Sequence, residues 1–379
     1  MRQIILRGIA PAMLALASGA AGAQSVTLYG LVDTGIEYVS HAGSSGNGLV
    51  RMPSVTGTLP SRWGLRGTED LGGGTQAVFT LESGFNTDTG TSGQGARLFG
   101  RQAWVGLSGR YGTLTLGRQY SMAFLSLGDA DLLGPSQYAL GSLDTYIPNA
   151  RTDNTVAYKG TFGGLTVGAT YSFGHDAAGG VPASGTCAGE QAGSASSCRT
   201  VSAMLKYDAA SFGVAGVYEE QRGGTGATAS FFNGSAAIPF TSASDKDRRI
   251  IANGYARLGQ AKLGIGWIGR ALMSAAGDVR SNLYFINGSL PADRRAHAGR
   301  WPDPHHQHRP GPQRHHGGAA RGVRAVQAHR AVCADRLPVE QRQRAIHRQR
   351  WRRRHHAGAG HEPAWCDGGD AARVLVRVA

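Results

Sequence analysis

The sequence predicts an all-β fold, a transmembrane antiparallel β-barrel, for nearly everything between a short leader and residue 288. Three observations predict it. Apolar and polar residues alternate in about a dozen segments. Tight Gly-rich turns take turns with long polar connections, as in barrels with short loops at one rim and long ones at the other. The leader exports the chain, and no later stretch is long and apolar enough for a spanning helix, so only strands could cross a membrane.

The leader comes first. Arg2 and Arg7 precede a short apolar run around 11–17, and Ala21-Gly22-Ala23 offers small residues before Gln24. This is the layout of a cleaved signal peptide over 1–23. The first strand is expected over 26–39. Val26, Leu28, Val32, Ile36 and Tyr38 share one face; Thr27, Tyr29, Asp33 and Glu37 share the other. Segment 76–83 repeats the pattern, and 165–173 is its cleanest case. There Leu165, Val167, Ala169, Tyr171 and Phe173 oppose Thr166, Gly168, Thr170 and Ser172. Further strands are expected at 61–69, 100–109, 111–120, 150–161, 200–209, 211–222, 247–258, 260–272 and 278–288. Tyr29, Tyr38, Trp63, Phe79, Phe85, Phe173 and Trp267 lie near strand ends and suit interfacial girdles. Alternation alone also fits a soluble sandwich. Export, and polar faces too small to pack a dry interior, favour a barrel filled by water.

The long connections are 40–60, 84–96, 121–149, 175–199 and 223–246. Cys187 and Cys198 share one of them, and in an oxidising compartment they are candidates for a surface disulfide. Cys333 and Cys366 receive no role. His41 and His175 are the only histidines before residue 289. They cannot build a Ser-His-Asp set, and neither zinc spacing nor a phosphate or dinucleotide loop is present, so no cofactor, metal or catalytic residue is expected.

From Ser289 the composition changes to Arg, His, Ala, Pro and Gly. The last 91 residues hold 18 of the 39 Lys and Arg, all of them Arg, 7 of the 25 acids and 11 of the 13 His. They net +11 against +3 for the rest, so whole-chain basicity gives no ground for a nucleic-acid partner. A basic arm and a His-rich metal tract are alternatives. The favoured reading is an out-of-frame translation of GC-rich DNA, expected to be disordered or irregular.

Four stretches carry a resemblance: QSVTLYGLVDTGIEY, SRWGLRGTEDLGGGTQAVFTLESGFN, RLFGRQAWVGLSGRYGTLTLGRQY and NTVAYKGTFGGLTVGATYSFG. Together they resemble the general-diffusion porins of Gram-negative bacteria, of the trimeric neisserial and burkholderial type. The resemblance covers Gln24 to about Asn287. It implies sixteen strands, about four more than are recognisable here. It implies a homotrimer among outer-membrane lipid and lipopolysaccharide, passing small hydrophilic solutes and ions, anions preferred. It also implies a loop folded into the pore, here 121–150 with Asp129, Asp131 and Asp144. Arginines facing acids across the constriction match Arg62, Arg101 and Arg151, and Glu82 matches a wall acid. Arg66, Arg97 and Arg118 are secondary candidates. Period two places Arg62 in the lumen but gives Arg101 the parity of Val105 and Leu107, so a bulge or a subunit contact is expected there. A barrel hydrolase or a non-channel structural barrel is the alternative. An open barrel would leave unpaired backbone in hydrocarbon, so the chain as written is expected to insert poorly.

Overall fold

A computed structural model describes residues 25–291, except 44–45, 55–58, 135–138, 145, 148–149, 176–186, 188–191 and 230–236, together with 323–328 and 371–377. The leader and most of the tail lie outside the described residues.

In chain order the strands are β1 (Ser25–Leu31), β2 (Asp33–Ala42), β3 (Asn47–Arg51), β4 (Arg62–Gly72), β5 (Thr75–Gly84), β6 (Gln102–Gly109), β7 (Gly112–Tyr120) and β8 (Arg151–Phe162). They continue with β9 (Leu165–His175), β10 (Thr200–Asp208), β11 (Phe212–Arg222), the short β12 (Thr228–Ala229) and β13 (Ile238–Pro239), β14 (Lys246–Leu258), β15 (Ala261–Met273) and β16 (Val279–Pro291). From β4 to β11, and on through β14, β15 and β16, each wall strand pairs antiparallel with the next. Turns with Gly at positive φ join several pairs: Gly72, Gly73 and Gly74 between β4 and β5, Gly163 and Gly164 between β8 and β9.

Every strand expected from period two is present, with one division. The segment 26–39 is split at Val32. β1 pairs with β4, whereas β2 pairs with β3. Leu31 faces Arg62 and Glu37 faces Arg51, so six steps on one strand oppose eleven on its neighbour. The surplus on the neighbour's side breaks the ladder. At the break, the Asp33 N–H donates to Ser61 Oγ and the Ser61 hydroxyl donates to the Asp33 carbonyl, both at 2.9 Å, and the Leu59 N–H donates to the Asp33 carboxylate at 3.2 Å. Side chains thus replace the missing backbone partners. β3 itself lies inside the connection 40–60.

The tail expectation meets two exceptions, β17 (Val323–Ala328) and β18 (Ala371–Arg377). β17 pairs with β16 and β18 with β2. Each lies along a strand of the body that has no other partner on that side among the described residues. An unpaired edge is a template for any segment able to extend.

Which way the faces point is settled by β9. Leu165, Val167, Tyr171 and Phe173 are exposed, while Thr166, Thr170 and Ser172 are buried. The same inversion runs through β10, β11, β14 and β16: Leu205, Val214, Ile250 and Ile286 are exposed and Ser202, Glu219, Arg249 and Asn287 buried. A sandwich would bury the apolar set against a second sheet. Here it forms an outward apolar belt, far more than a water-soluble monomer exposes. Among the described residues no helix is long and apolar enough to cross a membrane.

Candidate functional site

The connection 121–150 folds inward, for reasons visible in its side chains. Its helix, Met122–Leu127, begins after Ser121 and ends at Gly128. Met122, Ala123, Leu127, Ala130, Leu140 and Ile147 form one buried apolar cluster with Met204, Val217, Ile251, Ile268 and Phe285. These five are inward residues of β10, β11, β14, β15 and β16. The loop is therefore laid along that half of the wall. Two glycines make room for it. A Cβ on Gly168 would lie 2.4 Å from the Met122 sulfur, and one on Gly264 would lie 1.9 Å from the Ala130 carbonyl oxygen.

Charges fasten the loop beside this seat. Asp129 receives Lys206 Nζ at 2.7 Å and Lys262 Nζ at 3.2 Å. Burial disfavours its ionised form, but the two ammonium groups outweigh that and hold the carboxyl below its usual range. Asp144 binds Arg249 at 3.0 Å, and Arg270 lies 3.5 Å from it. Asp247 completes the group, 3.2 Å from Arg249 and 2.6 Å from Arg270. Arg249 is fully buried and stacks on Tyr146 with 4.6 Å to the ring centroid. Buried guanidinium in this number needs carboxylate neighbours, and the loop supplies one of them.

Across from the loop, Arg62, Arg101 and Arg151 converge on Glu82 and Tyr120. Arg101 Nε donates to Glu82 Oε1 at 2.8 Å, and its Nη2 donates to the Tyr120 hydroxyl at 2.6 Å. Arg151 Nη2 donates to the same hydroxyl at 3.3 Å, with its guanidinium 4.8 Å from the ring centroid. Arg62 Nε lies 3.5 Å from Glu82 Oε2. Tyr29 donates to that oxygen at 3.0 Å, so it is a lumen residue and not a girdle residue as expected. Three guanidinium groups against one carboxylate leave a local charge of about +2. Arg97 and Arg118 meet Asp153 at 3.0 and 2.7 Å, and Arg66 lies over the Tyr29 ring.

Of the two expected causes of the parity conflict at Arg101, the bulge is not found: β5 and β6 pair without a shift of register. Arg101 lies just before β6, with its N–H donating to the Glu82 carbonyl, so strand alternation does not apply to it. Val105 and Leu107 are exposed on the outer face.

Between this cluster and the loop lies a recess of about 310 Å³, lined on one side by Arg62, Arg101 and Gln102 and on the other by Phe124, Leu127 and Asp131. The three loop acids thus part company. Asp129 and Asp144 face the wall beneath the loop, and Asp131 alone faces the arginine side. Burial pushes the Asp131 carboxyl up to about 7, against the backbone N–H groups of Leu133 and Gly134. On the long-loop side, Cys187 and Cys198 are joined in a disulfide with a Cα separation of 5.2 Å. They pack with Ala227, Ala229, Phe240 and Leu272 in a second small apolar cluster.

Sequence reasoning missed Tyr120, the hinge of the arginine cluster, and the fasteners Lys206, Lys262, Asp247, Arg249 and Arg270. One signal was available for the last three: charged residues at inward parity within long apolar-faced strands.

A model of the Gram-negative porin family matches residues 10–298. An outer membrane porin protein of Bordetella pertussis is 44% identical over 181 residues, which are 44% of this chain and 47% of the relative. Outer membrane porin protein 32 of Delftia acidovorans is 41% identical over 180 residues, 44% of this chain and 48% of the relative. The chain thus spans about half the length of the curated relatives it matches. Among solved structures, an anion-selective porin from Comamonas acidovorans superposes with a TM-score of 0.54 at 26% identity, covering 71% of this chain and 75% of that one. The seated loop, the outward apolar belt and the family match agree, and the chain belongs to the Gram-negative porin family.

Proposed function

We propose that this chain is built to form a water-filled outer-membrane channel for passive diffusion of small hydrophilic solutes and ions, with a preference for anions. The supporting observation is the surplus of guanidinium over carboxylate around Tyr120, opposite a loop seated in the lumen. Charge on one side of a narrow aqueous gap concentrates ions of opposite sign. Arg62, Arg101 and Arg151 attract the anion; Glu82 orients the first two and Tyr120 the third. Asp129 and Asp144 hold the loop, and Asp131 faces the path. The channel works as a homotrimer, surrounded by lipid and lipopolysaccharide. The Arg- and His-rich segment after residue 288 is an out-of-frame product, a reading supported by the end of the family match at residue 298. Sequencing the gene around codons 285–290 tests that: one intact frame in independent reads overturns it. For the channel, the test is the zero-current potential across a planar bilayer in a KCl gradient. A potential on the chloride side is expected, and a potential on the potassium side overturns the anion reading.

A further inference from the structure

The recess beside Arg62 has two unlike sides, and this inference rests on the channel reading above. On one side Arg62 is the more exposed cation, with its Nε 3.5 Å from Glu82 and its Nη1 donating to the Pro60 carbonyl at 3.4 Å. Its side chain keeps 23% of its exposure, whereas that of Arg101 keeps 4% and is held by Glu82 and Tyr120. Gln102 adds an amide beside it. The other side is mostly hydrocarbon. Phe124 stacks flat on Tyr120, with centroids 3.9 Å apart and 12° between planes, and Leu127 lies a turn further along the loop helix. At about 310 Å³ the space is at the lower end of small-molecule sites.

These sides set conflicting demands on most ions. Chloride satisfies Arg62 but leaves the Phe124 side facing water. A dicarboxylate must put its second charge against hydrocarbon or beside Asp131. A single carboxylate on an aryl or short alkyl body satisfies both sides at once. Guanidinium takes a carboxylate through two parallel N–H donors, and a ring laid along Phe124 loses apolar surface to the loop.

We propose that the recess is a transient binding site for amphipathic monocarboxylates, with the carboxylate on Arg62 and Gln102 and the apolar body against Phe124 and Leu127. The carboxyl of Asp131 assists by its protonation. Held up near 7 by burial, it is mostly neutral in mildly acidic medium and does not repel the solute. The groups facing it across the recess are Arg62, Arg101, Glu82 and Tyr120.

The experiment compares sodium benzoate with sodium acetate at equal concentration and pH 6. The full chain is used, in a planar bilayer in KCl and, separately, folded in detergent for calorimetric titration. Benzoate is expected to interrupt the current at least tenfold more than acetate and to bind at least tenfold more tightly. Arg62→Gln is expected to remove both effects, and Phe124→Ser to bring benzoate down to acetate. Phe124→Leu, which keeps an apolar contact, is expected to fall between. Equal effects of benzoate and acetate overturn the site, as does an unchanged preference in Phe124→Ser. Absence of KCl current from chain that has inserted in the bilayer, together with tight benzoate binding in detergent, overturns the channel reading and leaves the site standing.

Discussion

Replacing Gly264 by Ala tests the seating of the pore loop at its tightest point. The new Cβ would lie 1.9 Å from the Ala130 carbonyl oxygen and 2.5 Å from Asn287 Oδ1, and real Cβ atoms essentially never approach within 3.0 Å. The Asn287 side chain can turn aside, but the Ala130 carbonyl is backbone. The loop must therefore withdraw from β15 by about 1.1 Å, the difference between those two distances. Asp129 precedes Ala130, so the withdrawal stretches its 2.7 Å contact with Lys206 towards the limit of an ion pair. Overpacking of this kind costs about 1–3 kcal/mol, which converts to roughly 5- to 150-fold in favour of a displaced loop. Displacement away from β15 carries the loop into the lumen and narrows the recess beside Arg62. Single-channel conductance in KCl is expected to fall and open-channel noise to rise, with heat-modifiable gel mobility retained. Gly216→Ala is the control: on β11, a Cβ there meets nothing within 4 Å. Parental conductance in Gly264→Ala, or an equal fall in Gly216→Ala, would mean that the loop is not seated against β15 at this point.

Three other outcomes follow from the same geometry. Arg101→Ala should move the zero-current potential towards cations and lower stability by about 3–5 kcal/mol, because it leaves Glu82 buried without its closest cation; salt-gradient recordings and thermal melts check both. Anion preference should decline as pH rises from 5 to 9. Asp131 is mostly neutral below about 7 and charged above it, so the local charge falls from about +2 to about +1, and Asp131→Asn should flatten the profile. Asp144→Ala takes the loop's carboxylate from the buried Arg249 and leaves it Asp247 and the Tyr146 ring, so a folded channel with a noisier open current is expected, and quiet openings would contradict it.

The strand ladder was legible because period two is a local property. Each strand needs only its own residues to declare its faces, as 165–173 did, and each tight turn carries its own glycines. What escaped depended on neighbours. The division at Val32 comes from surplus residues on the adjoining strand, which the sequence of β1 and β2 does not contain. Arg101 lies one residue before β6, where alternation no longer fixes the direction of a side chain. The loop acids could be recognised as lumen candidates, but not told apart. Asp129 finds Lys206 and Lys262 at separations of 77 and 133 residues, and Asp144 finds Arg249 at 105. Distances of that length in sequence are bridged where the loop folds back onto the wall, and only the folded chain brings the partners together.

Because the buried apolar side of the loop lies mainly on β9 to β16, the wall is lined unevenly. One half is a dry seam of hydrocarbon and buried ion pairs; the other, from β4 to β8, is wet and cationic. Solutes should travel off-axis, as water runs in a gutter along one side of a roof. Inward substitutions on the wet half should alter what passes, while equivalent changes on the dry half should alter whether the passage keeps its shape.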